Sequence, residues 1–235
     1  MSTPGPSAAR LTRPTTTTGT TRALLAGGVI AGPVFTLAWI VEGATRADYN
    51  PVRHPVSSLA LGAYGWTQVI TFIVTGLLSV GLAFGLWRAL RPWGGSTWGP
   101  LLVGAFGIGL VGAGIFVTDP VSGYPPGTPD QLTGYSGVPA LLHDVFSIPV
   151  FVGLPIACFV FVRRFSRWGM RGWATYAGLT GVVFAVGFVL ASLAFGQVAD
   201  LVAVGGLLQR LTITIGWTWL TLLALLLMRE RPLRT

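Results

Sequence analysis

The sequence predicts an all-α integral membrane protein, a bundle of six transmembrane helices with both termini in the cytoplasm. Three observations lead there. Of the 235 residues, 52% are hydrophobic and 9% charged, against about 25% charged in soluble domains. The apolar residues fall into six blocks of about 20 residues, the length a helix needs to cross a hydrocarbon core of about 30 Å. The arginines, finally, gather at alternate ends of those blocks, as the positive-inside rule requires.

Residues 1–22 are rich in Thr, Pro and Ser and carry Arg10, Arg13 and Arg22 without an acid. Too few apolar side chains are present to offset ordering entropy, which predicts a disordered cytoplasmic tail. The first block, residues 23–44, is longer than the roughly 7–15 residues of a signal-peptide core and reads as an uncleaved span. The others are 66–87, 99–118, 139–162, 173–194 and 204–228, so one transmembrane domain covers 23–228 and residues 229–235 form a second cytoplasmic tail. Trp66, Trp87, Trp98, Trp168 and Trp173 mark span ends, where an amphipathic ring prefers the headgroup level.

Two spans carry packing signals. The third contains the ridge Ala105–Gly109–Ala113, a small-xxx-small pattern that admits close helix approach and places this helix at the centre of the bundle. The fourth contains Pro149 and Pro155, each of which removes a backbone donor and favours a kink. Kinks shape cavities, but they also occur where there is no site. Cys158 stands alone in an apolar block, so no disulfide framework or cysteine metal motif exists.

Twelve of the fifteen arginines lie in the tails or in the 88–98 and 163–172 loops; Arg46, Arg53 and Arg210 lie on the other side. Six of the seven acids show the reverse bias: Glu42, Asp48, Asp119, Asp130, Asp144 and Asp200. The net charge of +8 is therefore a topology signal for a multi-pass protein of the cell membrane. It is no nucleic-acid footprint. All fifteen basic residues are arginine, which points to a GC-rich, bacterial coding sequence.

Both histidines fall on the acid-rich, extracytoplasmic side, in three segments. One is Arg53-His54-Pro55-Val56-Ser57-Ser58-Leu59. Another is Thr118-Asp119-Pro120, followed by Gly123-Tyr124-Pro125-Pro126-Gly127-Thr128-Pro129. The third is Leu142-His143-Asp144. On these residues the chain resembles the bacterial membrane family catalogued as domain of unknown function 998, closely over residues 23–164 and more loosely beyond. The resemblance implies a six-span membrane protein without an assigned activity. A looser similarity joins it to the membrane hydrolase superfamily of alkaline ceramidases and hemolysin-III-like proteins, which also combine His, Ser and Asp at helix ends. The chain departs from that pattern in having no paired histidine near its last helix.

The candidate polar site is thus Glu42, Arg53, His54, Ser57, Ser58, Asp119, Tyr124, His143, Asp144 and Arg210. Four chemistries stay open for it. A zinc ion needs three protein ligands and an open position, which His54, Asp119 and His143 could supply to a hydrolase acting on a lipid or amide. Ser57 or Ser58 could act as a nucleophile with a histidine base. Alternatively, the residues form a pocket for a lipid headgroup or small ligand, with Arg53 and Arg210 gripping an anionic group through their planar donors. The fourth reading is structural. Asp119 before Pro120 suits a turn, Asp144 faces the positive end of a helix dipole, and Ser147 follows His143 by one turn. Gly123–Pro129 predicts a rigid lid. Arg210, within the last span, needs a partner, for which Asp200, Asp144 and Glu42 are the expected carboxylates. Mostly clean mid-depth spans argue against solute transport, which usually shows broken helices and midplane polar groups.

Overall fold

The computed structural model describes residues 19–229; the two predicted tails lie almost wholly outside that range. Six helices are long and apolar enough to cross a membrane, and the described residues contain no strand, only one isolated bridge between Val121 and Tyr124. The spans are α1 (Gly19–Thr45), α2 (Gly65–Leu90), α3 (Trp98–Ile115), a fourth span made of α4 (Val138–Ile148) and α5 (Leu154–Arg167), then α6 (Arg171–Phe195) and α7 (Gly205–Arg229).

Helix α1 begins four residues before the predicted block because Thr21 is buried and accepts a hydrogen bond from Arg88 Nε at 3.2 Å. Helix α3 ends at Ile115, with Phe116 already extended, three residues earlier than predicted. Asp119 precedes Pro120, and a residue before proline is pushed out of the helical region. Between α4 and α5 the chain makes a π turn, Pro149–Gly153. Pro149 opens this turn and Pro155 follows it at the start of α5, and the missing amide donors loosen the helical ladder there.

The spans form a closed ring in chain order: α1 packs on α2, α2 on α3, α3 on α4 and α5, α5 on α6, α6 on α7, and α7 back on α1. The predicted central position of α3 is therefore corrected. It is the most enclosed of the six spans, yet it is one stave of the ring. Its small residues serve two lateral contacts. A Cβ on Gly107 would lie 2.7 Å from the Gly76 carbonyl oxygen of α2, and one on Gly112 would enter the Phe146 ring of α4. Between helices in lipid there is little hydrophobic drive, so such close packing carries much of the association.

Inside the ring, Phe35, Phe106 and Trp217 meet at centroid distances of 5.5 and 5.2 Å from Trp217. Toward the arginine-rich end the core is solid, with Leu25, Leu82, Leu86, Phe161, Trp219 and Leu220 all buried. Toward the other end, which carries both histidines, it opens. Among the described residues α4 packs along α3 and stands off from α6 and α7. The Phe151–Phe188 stack, 4.9 Å between centroids, closes the gap between the fourth span and α6 at the π turn. Beyond that stack the two helices part.

Candidate functional site

The predicted polar residues divide into two neighbouring regions. In the first, the loop between α1 and α2 is bolted to the start of α7. The amides of Gly206 and Leu207, unpaired donors of a helix N-terminus, donate to Arg53 O at 3.1 Å and Val52 O at 2.9 Å. Glycine is required here, since a Cβ on Gly206 would lie 2.4 Å from the His54 oxygen. One turn on, buried Arg210 donates to His54 O at 2.9 Å, to Gly206 O at 3.0 Å and to the Tyr49 phenol oxygen. Its guanidinium also lies over the Trp39 and Tyr49 rings, 5.2 and 5.5 Å from their centroids.

No carboxylate among the described residues forms an ion pair with Arg210. The expected pairing with Asp200, Asp144 or Glu42 is corrected. Carbonyl dipoles, a phenol oxygen and two aromatic faces hold the terminal nitrogens of the cation instead, while Nε is buried without a hydrogen bond. Glu42 is held by Arg46 at 3.4 Å, and Arg46 also reaches Leu61 O, Tyr64 O and Thr67 Oγ1, tying the two ends of the loop together.

Tyr49 donates its own proton to Pro55 O at 2.8 Å. Burial pushes this phenol up to about 12, with the Arg210 cation working the other way. His54 lies edge-on to Tyr49 and 5.1 Å from the Tyr124 ring. Its Nδ1 accepts the Asn50 amide at 3.0 Å, so that nitrogen is bare. Burial, and then the neighbouring Arg53 charge, lower the His54 pKa. Arg53 is spent on Asp130 at 2.8 Å and on Ser122 O at 3.1 Å. Tyr124 is buried beneath its loop. Gly123–Pro129, predicted as a lid, therefore covers this aromatic cluster.

The second region is a cavity of about 610 Å³ inside the ring, open toward the histidine end. Phe35, Phe106 and Trp217 floor it, and Phe151 of the π turn with Phe184 and Phe188 of α6 forms one side. Ser57, Asp119, His143, Asp144, Ser147 and Gln209 supply its polar rim. The segments that lean over it are 118–121 and 131–135. Ile148 of α4 and Ser192 of α6 both line the cavity and are exposed, on the side where these two helices stand apart.

His143, 4% exposed, hangs from α4 with Nδ1 at 3.0 Å from Ala113 O and 2.8 Å from Phe116 O. Both partners are carbonyls and can only accept, so Nδ1 carries the proton. The histidine thereby closes the C-terminal end of α3, while Nε2 remains an acceptor with no hydrogen bond from the protein. Asp119 accepts from the Ser136 amide at 2.9 Å and from the Ser136 hydroxyl. Asp144 accepts from the Tyr135 hydroxyl at 2.9 Å, which raises the Tyr135 pKa. Ser147 Oγ donates to His143 O at 2.8 Å.

His54 and His143 thus belong to different regions, and no group of three or more His, Cys, Asp or Glu fit for a metal exists among the described residues. Nor does any serine hydroxyl there bond a histidine ring. Ser58 Oγ and the Gln68 amide are buried with no hydrogen-bond partner. Tyr49, Ser136, Tyr135 and Gln209 were not foreseen from sequence. Gln209 had a readable signal, as a polar side chain beside Arg210 within a span. Its Oε1 accepts the Val56 amide at 2.8 Å and so joins the two regions.

No curated protein and no solved structure shows significant similarity to this chain. A family model described as protein of unknown function (DUF998) matches residues 29–226, which reaches all six spans and takes in both polar regions. The chain belongs to that DUF998 family.

Proposed function

We propose that the protein binds a membrane amphiphile, its hydrocarbon chain among the aromatic rings of the cavity and its headgroup at the polar rim, on the extracytoplasmic side of the membrane. The observation that carries this reading is the cavity's division into an aromatic, apolar depth and a polar mouth. Its volume of about 610 Å³ lies within the roughly 300–1,000 Å³ of small-molecule sites. An apolar lining disfavours water as the filler, and the surrounding bilayer supplies chains. The sidedness rests on the twelve arginines expected at the opposite end.

The test is lipid analysis of protein purified in mild detergent. Wild type carries a defined amphiphile through purification by mass spectrometry, and Leu110→Trp, which fills the cavity from α3, loses it while staying monodisperse. Identical lipid content in the two would overturn the reading. Reporter fusions at the 91–97 and 125–130 loops check the sidedness, with only the second expected outside.

A further inference from the structure

We infer that the cavity selects amphiphiles whose headgroup is cationic and rich in hydrogen-bond donors, a long-chain primary amine in the simplest form, and discriminates against anionic headgroups. The inference rests on the proposed amphiphile binding and specifies its ligand class.

Selection falls to the rim because the depth cannot provide much of it. Moving a chain from lipid into an apolar cavity exchanges one hydrocarbon environment for another. The only charged side chains of the rim are two carboxylates, Asp119 and Asp144, set among neutral hydroxyls and amides. Asp119 and Asp144 are each steadied by a residue of the same loop, Ser136 and Tyr135. A carboxylate offers about four lone-pair sites, so both keep acceptor capacity. His143 adds the decisive feature. It is buried against the cavity wall, its Nδ1–H is committed to two α3 carbonyls, and its Nε2 is left as an acceptor without a protein donor.

The neutral donors of the lining, Ser57, Gln131, Thr133 and Gln209 among them, carry no positive charge to hold an anion against the two carboxylates. No arginine lines the cavity, and the three at this end are engaged elsewhere. Arg46 serves Glu42 and the loop carbonyls, Arg53 serves Asp130 and Ser122, and Arg210 serves His54, Gly206 and Tyr49. An ammonium headgroup presents three donors to this set of acceptors. A phosphate or carboxylate would meet like charge and lone pairs.

The full chain in a neutral detergent is titrated with octadecylamine, octadecanol and octadecanoate, with binding read by native mass spectrometry. Wild type is expected to bind the amine at least tenfold more tightly than the carboxylate, with the alcohol between. Asp119→Asn combined with Asp144→Asn should bring the amine down to the level of the alcohol. His143→Asn, which can still donate to the α3 carbonyls, should weaken the amine and the alcohol but not the carboxylate. Carboxylate binding equal to or tighter than amine binding in wild type would overturn the inference, as would an amine preference that survives the double substitution. If all three bind equally, and Leu110→Trp abolishes them, headgroup selection fails while amphiphile binding stands. If none binds wild type better than Leu110→Trp, both fail.

Discussion

The two polar regions at the histidine end are built from the same residue types and use them in opposite ways. Around Arg210 most polar atoms face another, phenol to carbonyl, guanidinium to carbonyl and phenol, imidazole to amide, while Arg210 Nε and the Trp39 indole N–H are buried without a hydrogen bond. Around the cavity the acceptors are held at one side only and keep capacity on the other. A satisfied cluster specifies a loop position, whereas a half-committed one can take a ligand. Polar clustering in a sequence does not separate these cases. The bonding of each atom does.

Breaking the satisfied cluster should have the largest effect. Arg210→Leu removes three hydrogen bonds from a charged donor, each on the scale of about 1.5–3 kcal/mol, and strands the Tyr49 oxygen. A loss of about 3 kcal/mol or more is expected in the midpoint of unfolding by denaturing detergent. Arg210→Lys should recover part of it, because an ammonium cannot span the same fork. If Arg210→Leu left stability unchanged while ligand binding vanished, the roles assigned to the two regions would be reversed.

Next in size is the helix that carries the rim. Gly112→Val forces a side chain into Phe146, and such overpacking typically costs about 1–3 kcal/mol. Because α4 packs chiefly on α3, the strain should move His143 and Asp144 and weaken ligand binding beyond the stability loss. His143→Leu should cost about 1–2 kcal/mol by leaving the end of α3 unpaired. His143→Asn should restore most of that without restoring the ligand acceptor, which separates the two duties of one side chain.

The sequence carried more of the fold than of the site, for physical reasons. Span number follows from the cost of exposing a peptide group to hydrocarbon, and every block long enough to cross became a helix. Span ends were legible less well. Thr118 looked helical until Pro120 and the His143 contact ended α3 at Ile115. The site residues themselves were visible, because His54, Asp119, His143, Asp144 and Arg210 are polar where polarity is costly. Their partition was not. Arg210 satisfied by carbonyls and rings leaves no trace in charge pattern, since carbonyls occur at every residue. Ser136 and Tyr135 looked like ordinary loop residues, and only the fold of 118–137 turns them toward Asp119 and Asp144.

A smaller effect distinguishes the regions by pH. His54 titrates below its ordinary value of 6.5 in the folded protein, through burial first and Arg53 second, with the Ser122 backbone opposing, Arg210 adding and Asp130 opposing more weakly. The unfolded chain therefore binds the proton at higher pH than the folded one. The contribution of His54 is fully present above about pH 6.5 and is lost as pH falls through the lower folded value. Protonation also ends Nδ1 acceptance from Asn50. Unfolding midpoints of wild type should fall between pH 7 and 5 more steeply than those of His54→Gln. Parallel curves would remove His54 from the account.

The smallest expected change in stability is the most discriminating for the cavity. Asp119 and Asp144 are bonded only to residues of the covering loop, Ser136 and Tyr135, which are themselves exposed. Surface interactions of this kind are worth about 0–1 kcal/mol. Asn at either position keeps one oxygen acceptor, so Asp119→Asn and Asp144→Asn should each shift unfolding by no more than about 0.5 kcal/mol. A loss of stability as large as that of Arg210→Leu would mean that the rim is a second latch, its carboxylates kept to hold the 118–137 loop in place. Unchanged stability with altered ligand binding would leave recognition as the function those two carboxylates serve.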